Sequence, residues 1–240
     1  MSKLTKSVVL PTAKYLYPEL EKITLNEITV EQEMLLYGMD DPDSENKLIK
    51  SLVQEIIDPV KLTSEDRQHI LFNARMLTYG EDYNTSVTCY KCNQSTKTTV
   101  KLGKINMLEI EEDFECPKEI KLSNDDTLLL TIPTYEDYEI VNEEIEIRLK
   151  SKTNKFTKAE LNYLYNLMVY ISKINGEELN AEELFSYVKT LRGKDSSLIK
   201  DFRDSINFGY DLVQETTCSN PMCKSNIRFR INVDLGFFRS

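Results

Sequence analysis

At 240 residues the chain can bury a sizeable core, in one large domain or two small ones. No apolar run is long enough to cross a bilayer, and the net charge of −10 weighs against a nucleic-acid-binding protein. No signal-peptide core follows Met1, because Val8-Val9-Leu10 is stopped at once by Pro11, so an intracellular product, or one assembled inside a cell, is expected.

Residues 7–28 read as extended and loop-like, since Leu10-Pro11 and Tyr17-Pro18 resist helix, with a short strand at Ile23-Thr24-Leu25. Thr29 with Gln32 forms a capping box that opens a helix to about Gly38, and a turn is expected over Asp40-Asp41-Pro42-Asp43-Ser44. From Glu45 to Ile57 apolar residues recur at three and four, predicting a helix that Asp58-Pro59 ends. Thr63 or Ser64 caps a third helix through about Leu77, with Ile70, Leu71, Ala74 and Leu77 inward and Gly80 closing it.

A first β-hairpin is predicted from Asn84–Thr88 and Thr96–Leu102, with Cys89-Tyr90-Lys91-Cys92 at its tip. A charged loop (109–113) and two strands (119–122 and 127–132) follow, and Thr134 with Asp137 opens a helix carrying Tyr138, Val141, Ile145 and Leu149. After a lysine-rich linker, Thr157-Lys158-Ala159-Glu160 is another capping box, leading a central helix over 161–171. Ile174-Asn175-Gly176-Glu177 suits a tight turn. Asn180 with Glu183 caps a helix through Leu191, stopped by Gly193, and Ser196 or Ser197 starts a last one to about Phe208. A second hairpin, Leu212–Thr217 and Ile227–Val233, carries Cys218-Ser219-Asn220-Pro221-Met222-Cys223.

Two hairpins with two thiols at each tip have the layout of a zinc ribbon, in which four thiolates close a tetrahedral structural site. Cys89, Cys92, Cys218 and Cys223 are therefore the expected ligands of a structural zinc, the second pair spaced wider at four intervening residues. Without a secretion signal the five cysteines argue for reduced thiols rather than a disulfide framework. Cys116, next to Pro117, reads as a spare, buried thiol. A thioredoxin-like redox pair at Cys89 and Cys92 is disfavoured because Cys89 does not open a helix after a strand.

The fold class expected is α+β, a mostly helical body with a two-hairpin, zinc-ribbon-like β module formed from segments distant in sequence. Sharing one ion requires everything between the hairpins to fold as an excursion. The domains expected are 1–83, a strand, loop and small helical unit; 84–104 with 211–235, the paired cysteine hairpins; 105–210, an inserted mixed then helical domain; and 236–240, a tail. The hairpins are also a basic island. Lys91, Lys97, Lys101 and Lys104 meet no acid between 84 and 104, and Lys224, Arg228, Arg230 and Arg239 oppose only Asp234 beyond 216. A site of formal charge −2 favours such neighbours without any nucleic acid.

Catalytic signatures are absent. His69, the single histidine, lacks a zinc-protease pattern and reads as a polar-face or boundary residue. Gly193-Lys194 fails as a phosphate loop, with Val188 five before the glycine and Asp195 after the lysine. A four-thiolate site leaves zinc no open position for water. No small-molecule substrate is indicated. Base stacking by Tyr90, Phe229, Phe237 and Phe238 is the alternative that a nucleic-acid regulator would use. Phe237 and Phe238 are candidate partner-binding residues, against a neighbouring subunit or the chain's own core.

Several short motifs coincide: Leu10-Pro11 with Tyr15 and Tyr17, the Leu25 to Glu33 entry, the Ile57-Asp58-Pro59 break, Asp66-Arg67 leading to Tyr79-Gly80-Glu81-Asp82-Tyr83, and the Cys89-x-x-Cys92 hairpin. In these the chain resembles the baseplate proteins of contractile-tailed phages of the T-even type, whose members include a baseplate hub component. The resemblance covers the first hundred residues best, and the wider Cys218 to Cys223 spacing departs from it. It implies a non-enzymatic structural or assembly role, other phage tail and baseplate hub proteins as partners, and a place in the virion tail baseplate or in the host cytoplasm during assembly.

Overall fold

The structure is a computed structural model and describes residues 4–37 and 42–239. It is mixed, with helices and antiparallel sheets both well represented, which is the α+β class expected. By contacts the chain divides into two compact units, one of residues 1–59, 65–109 and 208–240, the other of residues 60–64 and 110–207.

In the first unit, β1 (Thr5–Val9) pairs antiparallel with β2 (Lys22–Asn26), Thr5 opposite Asn26 and Val9 opposite Lys22, joined through a short helix α1 (Ala13–Leu16). Ile23 and Leu25 of β2 are fully buried. The helix α2 (Val30–Leu36) starts at the expected capping box, Thr29 N donating to Gln32 Oε1 at 2.8 Å. Gly38, Asp40 and Asp41 lie outside the described residues. Pro42, expected in a turn, opens helix α3 (Pro42–Leu52) instead, where its missing N–H costs nothing. That helix stops before the expected Ile57: Val53 bridges to Leu25 and Gln54 N donates to Thr24 O at 2.9 Å, drawing the backbone onto β2 and leaving Ile56 98% exposed.

The helix α4 (Ser64–Tyr79) is buried around most of its circumference, not on one stripe. Asp66, Arg67, His69, Asn73 and Arg75 are buried beside Ile70, Leu71 and Ala74; hydrogen bonds compensate most of this burial, while His69 Nδ1 has no partner among the described residues. Asp66 accepts from Thr12 N (3.1 Å), Thr12 Oγ1 and the Tyr17 hydroxyl. Arg67 pairs with Glu45 at 2.5 Å and donates to Pro59 O at 2.9 Å.

His69 is therefore not a boundary residue but an interior one, stacked on Tyr210 with ring centroids 5.4 Å apart. Burial, helped by the charge of Lys6, pushes its pKa down to about 4. The unfolded chain binds this proton near pH 6.5 and the folded chain does not, so stability falls as pH drops from about 6.5 toward 4. Urea titrations at pH 7.5 and 5 should show His69→Phe losing roughly 2 kcal/mol less than the wild type over that interval. Equal losses in both proteins would refute the buried-neutral assignment.

Gly80, with φ of +85°, ends α4 as predicted, and the chain enters β3 (Asp82–Thr88) and β4 (Ser95–Lys101), paired antiparallel with Thr88 opposite Ser95. A two-residue strand, β5 (Met107–Leu108), follows.

In the second unit, β6 (Lys118–Lys121) and β7 (Thr127–Leu130) form the expected hairpin, turning through Asp125 at φ +69°. The helices α5 (Tyr135–Lys150) and α6 (Lys158–Met168) begin at their predicted capping boxes, Thr134 with Asp137 and Thr157 with Glu160. The central helix ends early, however: β8 (Ile171–Ile174) takes over its last residue and completes a three-stranded sheet in the order β6-β7-β8. Asn175 and Gly176, at φ of +53° and +84°, make the tight turn that closes it. Then come α7 (Ala181–Val188), capped by Asn180, and α8 (Gly193–Ser205). Gly193 begins α8 rather than only stopping α7, because Arg192 N-caps it and Asp195 in its first turn accepts from Ser123 N (2.9 Å) and Ser123 Oγ (2.7 Å). Leu128, Leu130, Leu161, Tyr165, Ile199 and Phe202 are central to this unit's core. Cys116 is half-buried rather than buried, 3.8 Å from Thr131 Oγ1.

On return to the first unit, β9 (Gly209–Tyr210) pairs with β5, and β10 (Val213–Thr217) pairs with β11 (Asn226–Arg230), Thr217 opposite Asn226. The expected tail is a short helix, α9 (Leu235–Arg239), whose Phe237 and Phe238 are 0% and 3% exposed. Of the two destinations weighed for these aromatics, the structure places them in the chain's own core. Phe237 stacks on Phe72 at 5.2 Å and tilts against Tyr83 at 5.4 Å, while Arg75 Nε donates to its carbonyl at 3.2 Å.

Candidate metal centre

Each cysteine loop is shaped by its backbone before any metal is considered. In the first, Cys89 N donates to Gln94 O at 2.9 Å and Asn93 N to Cys89 O at 2.8 Å, with Asn93 in the left-handed region at φ +56°. In the second, Cys218 N donates to Ser225 O at 2.9 Å, and Lys224, immediately after Cys223, is left-handed at φ +47°. The two knuckles thus share a device: a left-handed residue directly after the second cysteine turns the chain back into its strand. The two extra residues of the second loop are absorbed by a tight turn on Asn220. Its carbonyl accepts from Cys223 N (3.0 Å) and Lys224 N (3.1 Å), and its side chain accepts from Met222 N (3.0 Å).

The knuckles then face each other. Cys89 Sγ is 3.9 Å from Cys223 Sγ, Cys92 Sγ is 3.5 Å from Cys218 Sγ, and all four sulfurs lie within 4.8 Å of one another. A tetrahedral zinc with sulfurs at about 2.3 Å requires edges of about 3.8 Å. The donor set is all thiol and the spacing suits a cation held at the centre, so these residues fit a structural metal. No pair is near the roughly 2.05 Å of a disulfide.

The surroundings prepare the thiols. Ser225 Oγ is 3.1 Å from Cys89 Sγ and 3.3 Å from Cys223 Sγ. Its hydroxyl, outweighing burial, brings Cys89 down to about 6, and the same hydroxyl lowers Cys223. Cys92 goes the other way: the Gln94 N–H favours its thiolate, yet burial and proton sharing with Cys218, Cys223 and Cys89 push it up to about 11. Four thiolates together need a central positive charge, so metal binding would drive out the remaining protons. Thr96 Oγ1 accepts from Ser219 N at 3.0 Å, tying one hairpin to the other beside the sulfurs. Ser225 and Thr96 were not singled out by sequence reasoning; a serine two residues beyond a cysteine has no signature.

The profile of the family described as T4 bacteriophage base plate protein matches residues 5–235. The chain belongs to this family. The resemblance read from its first hundred residues is borne out and extends across both cysteine hairpins and everything between them. No curated protein and no solved structure matches the chain. In this base plate protein Lys91, Lys97, Lys101, Lys104, Lys224, Arg228 and Arg230 are all exposed around the two hairpins. Phe229 and Ile231 turn inward from the same strand end.

Proposed function

We propose that this chain is a non-enzymatic structural or assembly component of a phage tail baseplate, acting through protein contacts, with one structural zinc held by Cys89, Cys92, Cys218 and Cys223. One observation carries the reading. The family match spans both hairpins whose four sulfurs lie within 4.8 Å of one another, which supports reading the paired cysteine loops as part of the base plate fold. In this reading the zinc clamps two ribbons that are marginal alone, and the excursion between them is pinned at both ends.

The lack of a catalytic role rests on chemistry. His69 faces Asn73 through Nε2 at 3.2 Å inside the core, and four thiolates leave the metal no position for substrate. Among the described residues no helix is long and apolar enough to cross a membrane. The partners proposed are other tail and baseplate hub proteins, met in the virion tail or in the host cytoplasm during assembly. The basic surface of the hairpins supports one other reading, a zinc-ribbon regulator that touches nucleic acid.

Affinity purification of the metal-loaded full chain with the phage's other baseplate proteins, alongside binding to DNA and RNA across a salt series, separates the two. Capture of tail proteins at moderate salt is the expected result. Nucleic-acid affinity that falls steeply with salt, with no tail protein retained, would replace the proposal by the regulator reading.

A further inference from the structure

Two exposed apolar features of the first unit have opposite electrostatic settings. Val30 and Met34 on α2 and Tyr37, which caps its end, are 76%, 72% and 70% exposed, and their spacing of four and three sets them along one face. The opposite side of the helix is satisfied: Leu36 is buried and Gln32 Nε2 donates to Ser51 O at 2.9 Å. This outward stripe lies in a segment of seven acids without a lysine or arginine, from Glu27 to Glu45. At the knuckles, Tyr90 is 71% and Met222 95% exposed, beside exposed Lys91 and Lys224. No acidic residue occurs from 84 to 104 or from 216 to 233. Single exposed apolar residues need no explanation; an apolar stripe flanked on its helix by Glu31 and Glu33 and an apolar tip flanked by Lys91 and Lys224 on one chain are complementary.

We propose that the knuckle tip of one copy, Tyr90 and Met222 with Lys91 and Lys224, seats on the α2 stripe of a second copy, Val30 and Met34 between Glu31 and Glu33. Charge selects this geometry. Stripe against stripe would set acid on acid, and tip against tip would set base on base, so a two-fold pairing of either feature is opposed. The contact is heterologous, and copies add head to tail into a ring or an open string. The proposal deepens the assembly reading above by naming the first partner as another copy of this chain.

Sedimentation of the metal-loaded full chain at low and high salt tests it. The wild type should self-associate at low salt and dissociate as salt rises. M34E and M222E, both at exposed positions, should each weaken self-association about tenfold or more while keeping metal content and helical signal. Mixed in equal amounts they should recover a one-to-one complex that grows no further, since each supplies the face the other lacks. A wild type that stays monomeric at low salt overturns the proposal, as does a mixture that fails to pair. If that monomer still captures other tail proteins, the assembly reading survives and the self-contact alone is lost.

Discussion

Serine at any one of positions 89, 92, 218 or 223 should abolish stoichiometric zinc, whereas Cys116→Ser should leave the metal untouched. Geometry alone forbids the site in each variant. Three remaining sulfurs cannot close the tetrahedron, and the hydroxyl that replaces the fourth holds its proton far more tightly than a thiol. The energetic consequence is large, because a structural zinc contributes on the order of 10 kcal/mol of apparent binding free energy, whereas each isolated hairpin is marginal. Competition with a chelator, followed by metal analysis, should show the wild type retaining one zinc per chain and each of the four variants losing it. The thermal midpoint should fall with it. Zinc retained by the Cys92→Ser and Cys223→Ser proteins would mean that the ion is held elsewhere, and the clamp would have to be abandoned.

The second large effect is expected at the opposite kind of site, where no polar chemistry is at stake. Phe237→Ala should destabilise the first unit by about 3–5 kcal/mol, the range for emptying an aromatic site in a packed interior. Phe237 is fully buried among Phe72, Tyr83 and Phe238, and the guanidinium of Arg75 lies 5.8 Å from its ring. Arg75 deepens the cost. It donates to the carbonyls of Phe237, Gly80 and Asp82, so loosening α9 leaves a buried cation with fewer acceptors. Urea unfolding followed by tyrosine fluorescence reads the change directly. A loss below about 1 kcal/mol would show that the carboxy-terminal helix docks only weakly.

The elements legible in the sequence were those whose signals are local. The capping boxes at Thr29, Thr134, Thr157 and Asn180 each need only four consecutive residues, and the two cysteine loops announce themselves by spacing. What could not be read depends on distant partners. The strand β8 is four residues whose identity comes from pairing with β7, so Ile171 looked like the end of an apolar helix. The buried polar side of α4 is unreadable without knowing that Thr12 and Tyr17 meet Asp66 and that Glu45 meets Arg67. The aromatic pair at the carboxy terminus carried no information about which surface it would find, and α9 was hidden in a segment too short for periodicity. At the candidate metal centre the four cysteines named from their spacing do converge, but Ser225, which conditions two of the thiols, was invisible.

The short ladder between β5 and β9, with Met107 opposite Tyr210 and Leu108 opposite Gly209, bears on how the chain finds its native state. Bringing the first pair of sulfurs to the second across an uncollapsed strand of more than a hundred residues would carry a heavy entropic burden. Once the ladder pairs residues 107–108 with 209–210, the loop still to be closed shrinks to residues 93–106 and 211–217. Capture of an ion by the four thiols, as proposed, would then be the last step of a search that this ladder has already shortened.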